Sequence, residues 1–155
     1  MKTAFIIFLI LIVGFVILLY NAQKISRAVG ASGLVDGMLS QCPDKPNCVC
    51  SEYIADTSHY ITPLIIPKNN AVDTVTVLKN VIREMGGTIQ VESRDYIAAT
   101  FTSVIFKFVD DLELRIDSDK NIIHIRSASR VGHGDMGVNK KRTDLLKELY
   151  NNKSL

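Results

Sequence analysis

The feature that most constrains the fold is an apolar segment at the start of the chain. Residues 4–20, AFIIFLILIVGFVILLY, contain no charged side chain. As a helix this run spans roughly 25 Å, and the flanking Thr3 and Asn21 extend it toward the ~30 Å hydrocarbon core of a bilayer. We therefore predict a transmembrane signal anchor over residues 1–22, a juxtamembrane tether over residues 23–41 and a folded domain over residues 42–155.

A cleaved signal peptide is the alternative interpretation of this segment. Signal peptides have apolar cores of about 7–15 residues, so this one would be long. The best small-residue cleavage site, Ala28-Val29-Gly30, lies well beyond Tyr20, which is late for cleavage. No cysteine directly follows the apolar run, so a lipid-modified terminus is not expected. These observations favour an uncleaved anchor.

The charges are distributed unevenly between the first residues and the body of the chain. Three of the 18 basic residues precede residue 31, namely Lys2, Lys24 and Arg27. No acidic residue lies in that stretch. The body of the chain, residues 31–155, therefore contains 15 basic and 16 acidic residues. A near-neutral body lacks the broad basic surface that nucleic-acid binding requires. We predict no nucleic-acid partner. Because basic residues flank both ends of the apolar run, they do not set its orientation.

Three cysteines lie close together in the segment QCPDKPNCVCSEY. Its two prolines and its asparagine favour a turn between Cys42 and Cys48. A disulfide between these two residues would close a loop of about seven residues and contribute roughly 2 kcal/mol of stability. Disulfides persist outside the cytosol, so we predict a Cys42–Cys48 disulfide and an extracytoplasmic domain.

The third thiol, Cys50, leaves other arrangements open. Cys42 could pair with Cys50 instead, or one cysteine could bridge two chains. Three thiolates also suit Cu(I) or Zn, although the fourth ligand would have to come from a residue such as His59. A redox role for Cys48 and Cys50 is a further alternative.

The remaining pattern predicts two helices around four strands. An extended segment, Ile61–Pro67, suits a sheet edge because it contains two prolines. A helix follows, with Asn70 as its cap, and its apolar stripe consists of Val72, Val75, Leu78, Ile82 and Met85.

The predicted strands are Thr88–Glu92, Tyr96–Thr102, Ile105–Ile116 and Ile122–Ala128. A last helix spans Met136–Tyr150, with Asp135 as its cap and Leu145, Leu146 and Leu149 as its stripe. The short links predict an antiparallel meander flanked by helices, an α+β two-layer domain.

Alternation along the strands gives the sheet an apolar face and a charged face. Phe106, Phe108, Leu112, Leu114 and Ile116 share one parity of the third strand. The other parity carries Lys107, Asp111, Glu113 and Arg115. Strand alternation places His124 and Arg126 on this charged face, so we expect cross-strand ion pairs there.

One polar set, concentrated after residue 109, contains the candidate functional residues. The set consists of Asp110, Asp111, Glu113, Arg126, Ser127, Ser129, Arg130, His133, Asp135, Asn139 and Arg142. Helical spacing places Asp135, Asn139 and Arg142 on one face of the last helix. The simplest interpretation is a polar network that fixes the last loop and helix onto the sheet.

Two functional interpretations of this set remain open. Arg126 and Arg130, with the glycine-rich loop over residues 132–137, could bind an anionic group. A hydrolase acting on an anionic substrate could in addition use His133 and Asp135 for proton transfer. The sequence has no G-x-S-x-G, H-E-x-x-H or P-loop motif, and we predict no cofactor and no bound metal.

The combination of these segments resembles the domain-of-unknown-function family 1499, found in bacteria and plant plastids. The family pattern opens with P-N-C-V-S-S and continues with D-D-x-E, R-S-x-S-R-x-G, D-x-G-x-N and a nearby arginine. The first element matches at Pro46, Asn47, Cys48, Val49 and Ser51, whereas Cys50 stands where the family usually has serine. The later matches are Asp110, Asp111, Glu113, Arg126, Ser127, Ser129, Arg130, Gly132, Asp135, Gly137, Asn139 and Arg142.

The resemblance covers roughly residues 42–150 and implies a recurring domain that is often exported or tethered to membranes. It implies no known reaction. Together with the residue patterns, it predicts a membrane-anchored extracytoplasmic binding or accessory domain without catalysis. Its expected partners are the membrane and an anionic small molecule or a protein.

Overall fold

The computed structural model describes residues 2–67 and 73–154. Its elements along the chain are α1 (Lys2–Ala28), β1 (Leu34–Val35), β2 (Met38–Leu39), β3 (Cys48–Cys50), β4 (Leu64–Ile65), α2 (Thr74–Glu84), β5 (Thr88–Glu92), β6 (Tyr96–Thr102), β7 (Val109–Asp117), β8 (Ile122–Ser129) and α3 (Val138–Lys153). An apolar helix followed by an antiparallel sheet with two packed helices confirms the α+β class.

The helix α1 is long and apolar enough to cross a membrane, and its most apolar stretch is not buried by the rest of the chain. Its last turn nevertheless reaches the domain, where Ser26 is completely buried. The predicted tether, residues 23–41, contains this last part of α1 and the hairpin of β1 and β2. Asp36 and Gly37 both adopt positive φ in its two-residue turn. This geometry matches the twist of the strands they connect.

The predicted meander is correct, and the sheet extends beyond it. Its strand order is β3-β8-β7-β6-β5, and every pair is antiparallel. Two short strands line the outer edge of β8: β3 pairs with its end and β4 with its beginning. The proline-flanked segment around β4 therefore lies at an edge, as expected.

The third strand begins later than predicted. Residues Ile105–Phe108, which we expected in the strand, belong to the turn between β6 and β7. Ser103 N donates to Phe108 O at 2.8 Å, and Lys107 adopts φ 54°. Phe106 stacks on Phe108 with 5.7 Å between ring centroids. The prediction was wrong here because apolar residues in the turn continue the alternation of the strand.

The helices agree with the predicted pattern except at their ends. The predicted cap Asn70 and the stripe residue Val72 lie outside the described residues. Helix α2 begins at Thr74, and the side chain of Asp73 accepts a hydrogen bond from Thr76 N at 2.9 Å. At its other end Gly87 allows close packing, since a Cβ there would lie 2.7 Å from the Phe101 ring.

Helix α3 begins at Val138, two residues later than predicted. Gly137 adopts a left-handed conformation with φ 74° and delays the start. Gly137, and not the predicted Asp135, is therefore the N-cap, although Asp135 Oδ2 accepts a hydrogen bond from Asn139 N at 2.8 Å. Leu146 is fully buried, whereas Leu145, which we placed in the same stripe, is 43% exposed. The buried face of α3 is thus narrower than predicted.

The two faces of the sheet are both covered. On the apolar face, Leu112, Leu114 and Ile125 are fully buried in a core shared with α2 and α3. The charged face lies beneath the chain that follows α1, where Leu39 is fully buried in a second, smaller core. Both layers are therefore required to exclude water from the central strands.

Candidate functional site

The sheet divides the predicted site residues into two networks on opposite faces. The helix-side network lies where α3 begins and contains Asp110, Ser127, Ser129, Asp135, Asn139 and Arg142. The anchor-side network lies beneath the chain that follows α1 and contains Asp111, Glu113, Arg126 and Arg130. His133 is exposed in the loop between β8 and α3 and belongs to neither network.

Asn139 is the centre of the helix-side network and is 1% exposed. Its Nδ2 donates to Asn47 O at 2.9 Å and to Ser129 Oγ at 3.0 Å. Its Oδ1 accepts from Ser127 Oγ at 2.6 Å. The side chain therefore joins α3, β8 and the turn before β3. Burial of an amide is favourable here because its donors and acceptor all find partners.

Arg142 extends this network toward the neighbouring strands. Its Nη2 donates to Asp110 Oδ2 at 2.7 Å, and its Nη1 donates to Ser127 Oγ at 3.1 Å. The guanidinium also lies over the Phe101 ring, 4.6 Å from the centroid, in a cation–π contact. Contacts from β6, β7 and β8 therefore hold Arg142, which is the predicted site arginine on this face of the sheet.

The anchor-side network is built around the fully buried carboxylate of Glu113. Glu113 Oε2 accepts from Arg126 Nη1 at 2.7 Å. Its Oε1 accepts from Tyr96 Oη at 2.8 Å and from Gly33 N at 2.8 Å. Burial and the adjacent carboxylate raise the pKa of Tyr96, which keeps its hydroxyl protonated as a donor. Cross-strand ion pairs were expected on this face, and Glu113–Arg126 is one of them.

A second ion pair lies on this face, and its arginine also contacts the last turn of α1. Arg130 donates to both carboxylate oxygens of Asp111, at 2.7 and 2.8 Å. Its Nη1 also donates to Ser26 O at 3.1 Å. Ser26 Oγ accepts from Val109 N at 2.7 Å. The last turn of α1 is therefore hydrogen-bonded to the first residue of β7 and to an arginine paired with the same strand.

A third ion pair on the charged face was not predicted. Glu52 accepts from Arg115 at 2.7 and 3.2 Å and also from Leu39 N at 3.3 Å. His124 Nδ1 lies 3.5 Å from Glu52 Oε2 and 3.2 Å from Ser51 Oγ. Burial lowers the pKa of His124, so its neutral form is favoured.

The Ser51, Glu52 and His124 side chains resemble a catalytic triad only in composition. In a triad, the acid and the nucleophile meet opposite nitrogens of the imidazole. Here Ser51 and Glu52 both face Nδ1. Ser51 is also 2% exposed, and its Oγ accepts from Ile125 N at 2.8 Å. This arrangement positions β8 against the preceding chain and does not present a nucleophile.

The predicted disulfide joins Cys42 to Cys48, with 5.7 Å between their Cα atoms. Cys50 is a free thiol that is 2% exposed, and burial raises its pKa. Within residues 2–67 and 73–154, no group of three or more His, Cys, Asp or Glu side chains could hold a metal ion. The disulfide closes the turn that carries Asn47, so the cysteines and the helix-side network are connected.

Several members of these networks were not predicted from the sequence. Tyr96 could have been assigned to the charged face by strand parity. Asn47 belonged to a matched motif, but nothing in the motif indicated its contact with Asn139. Ser26, Gly33 and Glu52 lie in segments without periodicity, so no sequence signal pointed to them.

Residues 38–149 match the family described as "Protein of unknown function (DUF1499)". The matched range begins at β2 and includes both networks except for Ser26 and Gly33. A search of curated proteins finds no match. Because the match extends over more than half of the chain, this protein belongs to the DUF1499 family.

Proposed function

We propose that the chain is a membrane-anchored accessory or binding domain, that it acts without catalysis of its own, and that its folded part lies on the extracytoplasmic side. The observation that carries this proposal is the internal pairing of the candidate site. The three predicted site arginines, Arg126, Arg130 and Arg142, each contact a carboxylate at 2.7 Å. Charges used in this way hold the fold together and are not free to receive a substrate.

The alternative hydrolase receives less support from the same contacts. It requires Arg126 and Arg130 to bind an anion, but both are engaged with Glu113 and Asp111. It also requires Asp135 to assist His133 in proton transfer. The two oxygens of Asp135 instead accept from Gly137 N and Asn139 N, at 2.9 and 2.8 Å. Both contacts are with backbone N–H groups at the start of α3, where a carboxylate is favoured.

Two features support the anchored, exported arrangement. Helix α1 has the length and composition of a membrane span. The Cys42–Cys48 disulfide suits an oxidising compartment. A thiol or metal carrier is less well supported, because the disulfide uses two of the three thiols and the third is buried.

The side of the membrane is tested by cysteine labelling in intact protoplasts. Ser118→Cys places an exposed thiol in the β7–β8 turn, and Thr3→Cys places one at the other end of α1. An impermeant maleimide should label Ser118→Cys only, and both variants after detergent is added. The unmodified chain controls for labelling of Cys50. The reverse pattern would place the domain in the cytoplasm.

The absence of catalysis is tested with the purified full-length protein. We expect no turnover of phosphate-ester, carboxylic-ester or peptide substrates above a protein-free control. Any turnover that is abolished by His133→Ala, an exposed position that should not affect folding, would support the hydrolase instead.

A further inference from the structure

The turn between β6 and β7 exposes three consecutive apolar side chains. Val104 is 83% exposed, Ile105 81% and Phe106 49%. Turns usually contain glycine, proline and small polar residues, so an apolar turn is unusual. We call residues 104–106 the apolar tip. A contiguous exposed patch of this kind is typical of a surface that contacts a partner or a membrane.

The apolar tip lies at the end of the sheet where α1 joins the domain. The strand β7 starts at Val109, and Val109 N donates to Ser26 Oγ at 2.7 Å. Helix α1 therefore leaves the domain from the base of the same hairpin. The hydrogen bond from Ser103 N to Phe108 O closes the base of the turn, next to the residue that contacts α1.

The two ends of the meander differ in character. At the end with the apolar tip, the loop after β8 also carries Met136, which is 97% exposed. At the opposite end, the β7–β8 turn contains the sequence DSDKN, and the β5–β6 turn contains SRD. Among these turns of the meander, the exposed apolar side chains lie at the end from which α1 leaves.

Basic residues accompany the apolar tip. Lys24 and Arg27 are exposed in the last two turns of α1, and Lys107 is exposed in the hairpin turn. Basic side chains next to an apolar surface are attracted to anionic lipid headgroups. This end of the domain therefore carries apolar side chains, which favour the acyl region of a bilayer, beside basic side chains, which favour its headgroups.

We propose that the apolar tip is a second membrane contact, which inserts into the surface of the bilayer that α1 crosses. This inference rests on the membrane anchoring proposed above. Three apolar side chains would bind a membrane only weakly by themselves. Because α1 holds the tip beside the bilayer, insertion becomes an intramolecular step at high effective concentration. Interfacial segments bury their apolar side chains about 5–10 Å into the headgroup–acyl boundary.

The test uses the absence of tryptophan from the chain, so that any introduced tryptophan is the only one. Ile105→Trp reports on the apolar tip. Ile65→Trp is the matched control, since Ile65 is 71% exposed and pairs with Ile122 at the opposite end of the sheet. Phe15→Trp, within α1, reports on the anchor. Each full-length variant is reconstituted into phosphatidylcholine–phosphatidylglycerol vesicles with or without brominated acyl chains.

Bromine quenches tryptophan only where the ring reaches the acyl chains. We expect Phe15→Trp and Ile105→Trp to lose most of their fluorescence in brominated vesicles, and Ile65→Trp to retain its intensity. If Phe15→Trp is quenched but Ile105→Trp retains its fluorescence as Ile65→Trp does, the apolar tip does not insert, and the proposal that α1 is a membrane anchor is unaffected. If Phe15→Trp is not quenched, the anchor and the second contact are both wrong.

Discussion

The two faces of the central sheet are buried to similar extents but by opposite chemistry. Leu114, on one face of β7, is fully buried among apolar side chains of the helix layer. Glu113, the preceding residue, is equally buried on the other face, where Arg126, Tyr96 and Gly33 satisfy its carboxylate. On the apolar face, removal of nonpolar surface from water stabilises the folded state. The charged face must first offset the cost of removing ions from water, which the ion pair and hydrogen bonds of the Glu113 carboxylate do, although Arg126 Nε is buried without a partner among the described residues.

The difference shows that alternation along a strand does not decide which face is exposed. A polar face usually contacts solvent in antiparallel sheets. In this protein the last turn of α1 and the chain after it cover that face, through hydrogen bonds that involve Ser26, Gly33 and Leu39 and through the small core around Leu39. The two faces should therefore respond differently to substitution.

The largest effect is expected for an unpaired charge on the charged face. Arg126→Met leaves the Glu113 carboxylate buried without its cation, which should lower the free energy of unfolding by about 3–5 kcal/mol. Urea titration of the full-length protein in detergent measures this loss.

Two further variants sharpen this test. Glu113→Gln combined with Arg126→Met keeps an acceptor for Tyr96 and Gly33 without a charge, so it should recover most of the loss. Lys140→Met breaks an exposed ion pair with Asp144, which should cost less than about 1 kcal/mol. Equal losses for Lys140→Met and Arg126→Met would show that burial of the charge is not the cause.

A somewhat smaller effect is expected on the apolar face. Leu114→Ala removes buried methyl groups and leaves a cavity, which should lower the free energy of unfolding by about 3 kcal/mol. The control is Ile65→Ala, at a position that is 71% exposed and should change stability little. A second substitution opposite, such as Ile125→Ala, should not recover this loss of stability, whereas the second substitution on the charged face should recover most of the loss there. Recovery there would contradict the distinction between the faces.

Loss of the disulfide should have a still smaller effect. Replacing both Cys42 and Cys48 with serine opens a loop of about seven residues and should lower stability by roughly 2 kcal/mol. Cys50→Ala keeps the disulfide and serves as the control, so reductant should lower its stability by the same amount as it lowers that of the unmodified chain. If the double variant were as stable as the unmodified chain, the turn that carries Asn47 would be held by its hydrogen bonds alone.

The smallest effect is expected from pH. The folded-state pKa of His124 is lowered, chiefly by burial, so the unfolded chain binds its proton more readily. Stability from this residue is complete above its unfolded pKa of about 6.5 and is lost as the pH falls below that value. His124→Gln should flatten this part of the pH profile, whereas His133→Gln, at an exposed position, should leave it unchanged. Identical profiles for both variants would assign the dependence to other groups.

Strand alternation and short links were sufficient to predict the meander and the presence of cross-strand ion pairs on its charged face. Both depend on neighbours along the chain or across one hairpin. Asp135 and Asn139 also meet, as predicted, although Asp135 lies before the first residue of α3 and not on the helix. The rest of the networks comes from distant segments: Glu52 reaches Arg115, and Gly33 reaches Glu113. No local pattern records such contacts. Opposite parity along β7 was the single indication that Asp110 and Asp111 belong to different networks.

The attachment of α1 to β7 has a mechanical consequence. Ser26 Oγ bonds to both backbone groups of Val109, accepting from its nitrogen at 2.7 Å and donating to its oxygen at 3.3 Å. Strand β7 occupies the middle of the five-strand order, with two strands on each side. A pull along α1 is therefore applied to the centre of the sheet, where hydrogen bonds to both neighbours share the load. The domain is held to α1 in a way that resists removal of one strand at a time from the edge of the sheet.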